Sequence, residues 1–266
     1  VAFFNFHASK ELQNSYDRKE LGNTIIIGKS GSGKTVLMLT LLAWMQKYRF
    51  DRYGKPTPFN TVYFDKDRGA EAAIRAMGGG YLTVSNGKPT GFNPFQIEST
   101  ERNIVFLVNL VKMLVRQDGE KISTQDALKI DQAVKAIMRL DKEERNIQVL
   151  KESITEGTTE HERDNSIIKR LAKWFKGGMY EWVFAANNED SIDFAKYQIF
   201  GIDGTDFLDL PEICAPISYY LLHRMEDVID GRRFVYMMDE AWKWINDPVF
   251  SDFTNNKQLT IRKQNG

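Results

Sequence analysis

Short apolar runs rich in β-branched and aromatic residues recur along the chain, and each has the length of one buried strand. The five runs are residues 24–27, 61–64, 81–84, 197–202 and 234–238. Helical stretches follow three of these runs, at residues 34–48, 69–77 and 211–229. Strands that alternate with helices are typical of an α/β protein with buried parallel strands, and this is the fold class that we expect.

Residues 98–176 have apolar positions at helical spacing, apart from a polar and charged loop that we expect at residues 157–165. One apolar face repeats every three or four positions, at Ile104, Leu107, Leu110, Val111 and Leu114. Residues 123–126 offer an N-terminal cap for the next helix, whose apolar face comprises Leu128, Ile130, Val134, Ile137 and Met138. We therefore predict an α/β core over residues 1–97 and 177–266, with an all-α insertion at 98–176. The second part of the core is expected to lack at least one strand.

The run at residues 24–27 leads into the pattern G-x-x-x-x-G-K-T, which opens the next predicted helix. The pattern comprises Gly28, Lys29, Ser30, Gly31, Ser32, Gly33, Lys34 and Thr35. Its glycines let backbone N–H groups surround phosphate oxygens, and the helix directs its positive end at them. We expect Lys34 to reach the β and γ phosphates of ATP and the Thr35 hydroxyl to ligate Mg²⁺. A glycine-rich turn without a ligand is the alternative.

The run at residues 234–238 ends in two adjacent carboxylates, Asp239 and Glu240. A parallel strand delivers such residues to the edge of the sheet where phosphates bind. We expect Asp239 to hold the Mg²⁺ shell, directly or through water, and Glu240 to polarise the water that attacks the γ phosphate. A solvated turn after an ordinary strand is the alternative for this pair taken alone.

Several other residues are weaker candidates. Asp65 and Asp67 end the second run and would orient water or metal there, unless they form only a turn with Lys66 and Arg68. Arg262 follows the acidic strand and is a candidate to reach a nucleotide on a neighbouring subunit. The alternative is an exposed surface residue without a role in the site.

A basic, aromatic helix is a further candidate, for contact with a nucleic acid backbone. Its residues are Lys169, Arg170, Lys173, Trp174 and Lys176. The favoured interpretation is that they form a solvated helix face without a ligand. The three histidines lack metal-ligand spacing and are expected to be structural or exposed; they are His7, His161 and His223.

The amino-acid composition adds little to these predictions of fold and site. Lys plus Arg and Asp plus Glu each total 36, so the formal net charge is zero and does not favour binding to nucleic acid or anionic lipid. The longest apolar stretches, such as residues 36–42 and 104–110, are far shorter than the roughly 20 residues that span a bilayer. Cys214 is the only cysteine, which excludes an intrachain disulfide and suits a reducing compartment, and we expect it to be buried in a helix.

Six motifs occur in an order that resembles the VirB4 family, also named for CagE and TrbE. They are the glycine-rich pattern, D-K-D-R-G at residues 65–69, N-P-F at 93–95, G-M-Y-E-W-V-F at 178–184, D-E-A-W at 239–242 and R-K-Q-N-G at 262–266. The resemblance covers nearly the whole chain. D-E-A-W followed by R-K-x-N-G is much more particular to this family than the glycine-rich pattern.

The resemblance implies the C-terminal motor domain of a type IV secretion ATPase, with a RecA-like P-loop core, ATP and Mg²⁺. It also implies a cytoplasmic protein, peripheral to the bacterial inner membrane, that forms a hexameric ring at full length. Its partners would be other secretion subunits and a DNA or protein substrate. Family members carry an N-terminal domain and a later strand with a glutamine-bearing motif, and we expect both to be missing here.

The residues predict an ATPase with Lys34, Glu240 and Arg262 as its catalytic residues. The resemblance implies that hydrolysis is coupled to transport and powers pilus assembly and substrate transfer. Two alternatives stay open. A DNA translocase or helicase of the HerA and FtsK group would share the core and would be stimulated by DNA. In a nucleotide-gated assembly scaffold, hydrolysis would be incidental.

Overall fold

The computed structural model describes residues 24–51, 53–116, 122–154, 166–184, 190–229, 233–246, 248 and 251. In this part of the chain, the strands are β1 (Phe59–Asp65), β2 (Gly80–Thr83), β3 (Ile199–Asp203) and β4 (Arg233–Met238). They form one sheet in the order β2-β3-β1-β4, and every pair is parallel. The carboxyl ends of all four strands therefore meet at one edge. The parallel α/β architecture agrees with the expected fold class.

The helices in the same residues are α1 (Lys34–Met45), α2 (Glu71–Ala76), α3 (Glu101–Val115), α4 (Thr124–Ile137), α5 (Val149–Ser153), α6 (Ile167–Leu171), α7 (Glu181–Phe184), α8 (Pro211–Glu226) and α9 (Ala241–Ile245). Short 3₁₀ turns occur at Gln46–Arg49, Pro94–Gln96, Lys142–Glu144, Ala172–Trp174 and Phe194–Lys196. None of the described helices is both long and apolar enough to cross a membrane.

Helices cover both faces of the sheet, which explains why β1 is buried along nearly its whole length. One face packs beneath α1 and α2, through a cluster that contains Met38, Leu42, Tyr63, Ala70, Ile74 and Ile199. The opposite face packs against α8 and the helices between β2 and β3, and its strands contribute Val62, Phe64 and Ile202. Because side chains alternate along a strand, Tyr63 and Asp65 face α1 and α2, whereas Phe64 faces α8.

Local side-chain caps begin the two longest helices between β2 and β3. The Thr100 hydroxyl accepts a hydrogen bond from Asn103 N before α3, and the Ser123 hydroxyl accepts one from Asp126 N before α4. The predicted cap at residues 123–126 is thus confirmed. Leu128 is the one predicted core residue of α4 that the structure leaves exposed. It lies in the first turns of the helix, on the side away from Ile130 and Val134.

The structure contradicts the predicted strand at residues 24–27. Ile25 and Ile27 are 85% and 91% exposed, and only Ile26 packs against the core, beside Met237. β-branched residues favour extended backbone, but a strand also requires a neighbour that forms ladder hydrogen bonds. None of the described strands pairs with this segment. The other four predicted strands are confirmed, with their ends shifted by up to two residues.

Candidate functional site

The glycine-rich loop before α1 has the backbone that its sequence requires. Gly31 and Gly33 have φ angles of 75° and 83°, in the left-handed region that favours glycine. Ser32 N donates to Lys29 O over 3.2 Å, which closes a turn within the loop. Gly33 then caps α1, whose first residue is Lys34. The free N–H groups at the start of this helix therefore adjoin the loop, an arrangement that suits an anion.

The last two residues of the loop have different partners. Lys34 Nζ donates to Lys29 O over 3.1 Å, so its ammonium group lies over the loop. Thr35 Oγ1 donates to Asp239 Oδ2 over 2.7 Å. The second hydrogen bond joins the loop to the end of β4, and it brings together two residues that the sequence assigned to the same metal.

Asp239 extends the β4 ladder by one residue, because its N–H donates to Phe64 O on β1 over 2.8 Å. Its Oδ1 accepts a hydrogen bond from Glu240 N over 2.9 Å, and its side chain is buried. Glu240 has left-handed backbone angles, with φ 49° and ψ 44°. A non-glycine residue in this region carries backbone strain, which is concentrated at functional sites in many proteins.

Two tryptophans just after the acidic pair fix its orientation. Trp242 Nε1 donates to Glu240 Oε2, and Trp244 Nε1 donates to Asp239 O over 3.1 Å. Trp244 is fully buried against Phe64 and Phe207, with ring centroids 5.0 and 5.8 Å away. From sequence, D-E-A-W is recognisable only as a family motif, and the role of these indoles as hydrogen-bond donors is not predicted.

A row of three buried aspartates crosses the carboxyl edge of the sheet. Asp65 pairs in register with Asp203, and Asp239 lies one residue beyond the last β1–β4 pair, opposite Asp65. Arg68 Nε donates to Asp203 over 2.8 Å. The row therefore has one cationic neighbour at its β3 end and the Thr35 hydroxyl at its β4 end, with Asp65 between them.

Asp65 Oδ2 accepts hydrogen bonds from Ala70 N, over 2.8 Å, and from the Tyr81 hydroxyl, over 2.5 Å. Burial raises the pKa of Asp65, and the charges of Asp239 and Asp203 raise it further, whereas the two hydrogen bonds act in the opposite direction. Burial, followed by the charges of Asp239 and Asp65, also raises the pKa of the Tyr63 hydroxyl.

Asp67 differs from Asp65 in its exposure and in its partners. Its side chain is 75% exposed and pairs with Lys66 Nζ over 3.1 Å. Asp67 and Arg68 both have positive φ angles, which turn the chain sharply after β1. Gly69 then lies against the P-loop: a Cβ atom there would be 3.3 Å from Thr35 Cγ2 and 3.9 Å from Asp65 Oδ1. Only Asp65 of the two candidate aspartates therefore faces the loop.

The oxygen atoms at this edge suit Mg²⁺. A threonine hydroxyl and a carboxylate are hard ligands, and Mg²⁺ in nucleotide sites takes one or two protein carboxylates and completes its shell with phosphate and water. Within the described residues, no group of three or more His, Cys, Asp or Glu side chains is arranged to hold a metal alone. Thr35 and Asp239 are thus suited to a metal that arrives with a nucleotide.

The remaining candidates that fall within the described residues do not join this edge. Arg262, His7 and His161 lie outside the described residues. Trp174 is buried and donates to Leu114 O over 3.1 Å, so it offers no surface on which a base would stack. His223 is hydrogen bonded to Asn103 and stacks on Phe106, in a structural role, and Cys214 is buried in α8.

The basic face around Trp174 is partly occupied by ion pairs. Arg170 pairs with Asp126 over 2.5 Å, and Lys173 pairs with Glu212 of α8. These contacts join helices of the chain to one another, so they do not support the nucleic acid hypothesis for this helix.

The protein has a parallel sheet in an α/β fold and a glycine-rich loop before α1. Thr35, at the end of that loop, contacts the acidic end of β4. These features together define a P-loop nucleoside triphosphatase. The TraG P-loop domain family matches residues 14–266, and the chain belongs to this family.

Comparison with individual proteins shows which members of this family the chain resembles. Type IV secretion system protein virB4 of Brucella abortus is 52% identical over 271 residues, which cover 100% of this chain and 32% of that protein. PtlC of Bordetella pertussis, another type IV secretion system protein, is 46% identical, with 99% of this chain and 32% of PtlC covered. The resemblance to the VirB4 family is therefore confirmed, and the chain spans about a third of the length of these relatives.

Solved structures give the same fold. The structure of VirB4 of Thermoanaerobacter pseudethanolicus superposes with a TM-score of 0.63 at 18% identity, covering 90% of this chain and 66% of that one. This likeness establishes the RecA-like P-loop architecture.

Proposed function

We propose that the chain is the Mg²⁺-dependent ATPase domain of a type IV secretion protein, in which hydrolysis powers pilus assembly and the transport of protein or DNA substrates. The observation that carries this proposal is the 2.7 Å hydrogen bond between Thr35 Oγ1 and Asp239 Oδ2. It supports a site in which the phosphate loop and the acidic strand act on one metal–nucleotide complex. The names of the virB4 and PtlC relatives support the secretion context.

The proposed roles follow from the positions of the side chains. When ATP binds, Lys34 Nζ leaves its hydrogen bond with Lys29 O and contacts the β and γ phosphates instead. It then stabilises the charge that develops on these phosphates. Thr35 and Asp239 hold Mg²⁺, which would neutralise charge on the same phosphate oxygens. The N–H groups of the glycine-rich loop orient the triphosphate.

Glu240 is the proposed general base. Trp242 occupies its Oε2, which leaves Oε1 to accept a proton from the attacking water. The water oxygen forms a bond to the γ phosphorus as the bond from that phosphorus to the bridging oxygen breaks. ADP leaves with the electron pair, and Glu240 holds the proton until phosphate departs.

Assembly is a further part of the proposal. We assign residues 98–176 to an all-α insertion in the RecA-like core, and we place Arg262 beside the nucleotide of a neighbouring subunit in a homo-oligomeric, hexameric ring. In the longer protein, this ring would dock with other secretion subunits, on the cytoplasmic side of the inner membrane. The relatives' membership in secretion systems supports the docking with other secretion subunits.

Steady-state ATP hydrolysis, measured with and without DNA, tests the function. We expect turnover that DNA does not change, a loss of at least about 100-fold in Glu240→Gln with ATP binding retained, and normal turnover in the control Glu71→Gln. Strong stimulation by DNA would favour the translocase alternative. Absence of turnover would favour the scaffold, and full activity in Glu240→Gln would exclude that residue as the base.

A further inference from the structure

Two buried polar atoms beside Asp239 have no hydrogen-bond partner among the described residues: Asp65 Oδ1 and the Tyr63 hydroxyl oxygen. Both side chains are 0% exposed, so bulk water does not satisfy these atoms. Buried polar groups are nearly always hydrogen bonded in folded proteins, because an unsatisfied group costs stability. Two such atoms at one edge of the sheet therefore indicate a missing polar partner.

The two orphaned groups can share one partner. Tyr63 and Asp65 are two residues apart on β1 and so lie on the same face of the sheet, beneath α1 and α2. The free carboxylate oxygen can accept a hydrogen bond, and the hydroxyl oxygen can accept as well as donate. They form no hydrogen bond with each other, although the charges of Asp239 and Asp65 both act on Tyr63. A water molecule that donates one hydrogen to Asp65 Oδ1 and the other to the Tyr63 hydroxyl oxygen would serve both and would leave its own oxygen for a metal ion.

Neighbouring contacts place this pair beside the proposed metal ligands. Asp65 lies opposite Asp239 across the β1–β4 ladder. On the other side, a Cβ atom on Gly69 would contact Thr35 Cγ2 at 3.3 Å and would lie 3.9 Å from Asp65 Oδ1. Asp65 therefore adjoins Asp239 across the ladder and adjoins Thr35 through the backbone of Gly69.

We propose that Asp65 Oδ1 and the Tyr63 hydroxyl together bind a water molecule of the Mg²⁺ shell that Thr35 and Asp239 hold. This inference rests on the proposed function. Asp65 acts as a positioning residue: its Oδ2 is fixed by Ala70 N and the Tyr81 hydroxyl, so its Oδ1 is held in one orientation. Outer-shell acceptors of this kind orient metal-bound water and raise metal affinity.

Asp65→Asn tests the proposal with little change in shape. The amide oxygen of asparagine can keep the hydrogen bonds from Ala70 N and Tyr81, and the NH₂ group then replaces the free acceptor with a donor. Because metal-bound water is itself a donor, the substitution should oppose its binding. Asp67→Asn is the matched control, since Asp67 is two residues away, carries the same charge and is exposed.

The measurement is the dissociation constant of ADP by calorimetry, in Mg²⁺ and in EDTA. We expect Mg²⁺ to tighten ADP binding to the unmodified protein and to Asp67→Asn equally. In Asp65→Asn, this enhancement should fall about tenfold or more, with the constant in EDTA unchanged. If Asp65→Asn retains the full enhancement, the inference is wrong while the proposed function stands. If the unmodified protein shows no enhancement, the Mg²⁺ site itself is wrong.

Tyr63→Phe provides the second variant if Asp65→Asn does not fold. It removes a hydroxyl that has no protein partner in the described part of the chain, so no existing hydrogen bond is lost. A smaller decrease of the Mg²⁺ enhancement in Tyr63→Phe supports the bound water. An unchanged enhancement in that variant overturns the proposal.

Discussion

The Thr35 hydroxyl donates a hydrogen bond to the Asp239 carboxylate over 2.7 Å, although 204 positions separate the two residues in sequence. Thr35→Val keeps the shape of the side chain and removes its oxygen. We expect Mg²⁺-dependent ATP affinity to fall by more than the roughly 10–100-fold that outer-shell changes cause, because a direct ligand is lost. Titration of ATP with and without Mg²⁺ measures this, and Thr35→Ser, which retains the hydroxyl, should bind normally. Equal affinities in the valine and serine variants would contradict the assignment.

Lys34→Ala should abolish productive nucleotide binding, because the ammonium group that would meet the β and γ phosphates is removed. Lys29→Ala is the control: Lys29 is in the same loop, but its backbone oxygen, not its side chain, contacts Lys34. Binding of a fluorescent ATP analogue should therefore be lost in Lys34→Ala and largely retained in Lys29→Ala. Similar losses in both variants would mean that total loop charge, and not the position of Lys34, determines binding.

Trp242→Phe should lower kcat about tenfold without changing ATP binding, because Glu240 loses a hydrogen bond worth about 1.5–3 kcal/mol to a charged group. Trp44→Phe, on the exposed face of α1, is a matched control and should leave kcat unchanged. Trp242→His, which retains a ring N–H donor, should recover part of the activity. A rise in KM with unchanged kcat would show that Trp242 contributes to nucleotide binding rather than to the orientation of Glu240.

The contacts of Glu212 make the stability of the folded protein depend on pH. Lys173 and the Tyr180 hydroxyl hold the pKa of Glu212 below its ordinary value, so the unfolded chain takes up a proton before the folded protein does. This stabilisation is complete above the ordinary pKa of about 4.3 and is lost as pH falls through the lowered value. Its size should be about 0.5 kcal/mol, because the pair is partly exposed.

Urea unfolding at several values of pH between 3 and 6 tests the effect of Glu212. In Glu212→Gln, the free energy of unfolding should be lower at the upper end of this range and should approach that of the unmodified protein at the lower end. Glu98→Gln, at an exposed position, should follow the unmodified protein throughout. A constant difference between Glu212→Gln and the unmodified protein at every pH would show that the side chain acts through packing instead.

Local sequence determined much of this protein. Gly31 and Gly33 stand where the loop needs positive φ angles, and Ser123 stands where α4 needs a cap, because these requirements involve only a few neighbouring residues. Four of the five predicted strands and the long helices are present for the same reason: hydrophobic periodicity is set by the buried face of each element. The family assignment also needed only motifs and their order.

Tertiary structure decided which of the chemically similar residues meet. Asp65 and Asp67 are alike in sequence, yet the register of β1 buries the first among aspartates and the turn at Asp67 exposes the second. Residues 24–27 have strand composition but no described ladder partner, and Trp174 has basic neighbours but is buried. Pairing and burial depend on residues far away in the chain, so the contact of Thr35 with Asp239 and the orphaned oxygen of Asp65 became visible only in the folded protein.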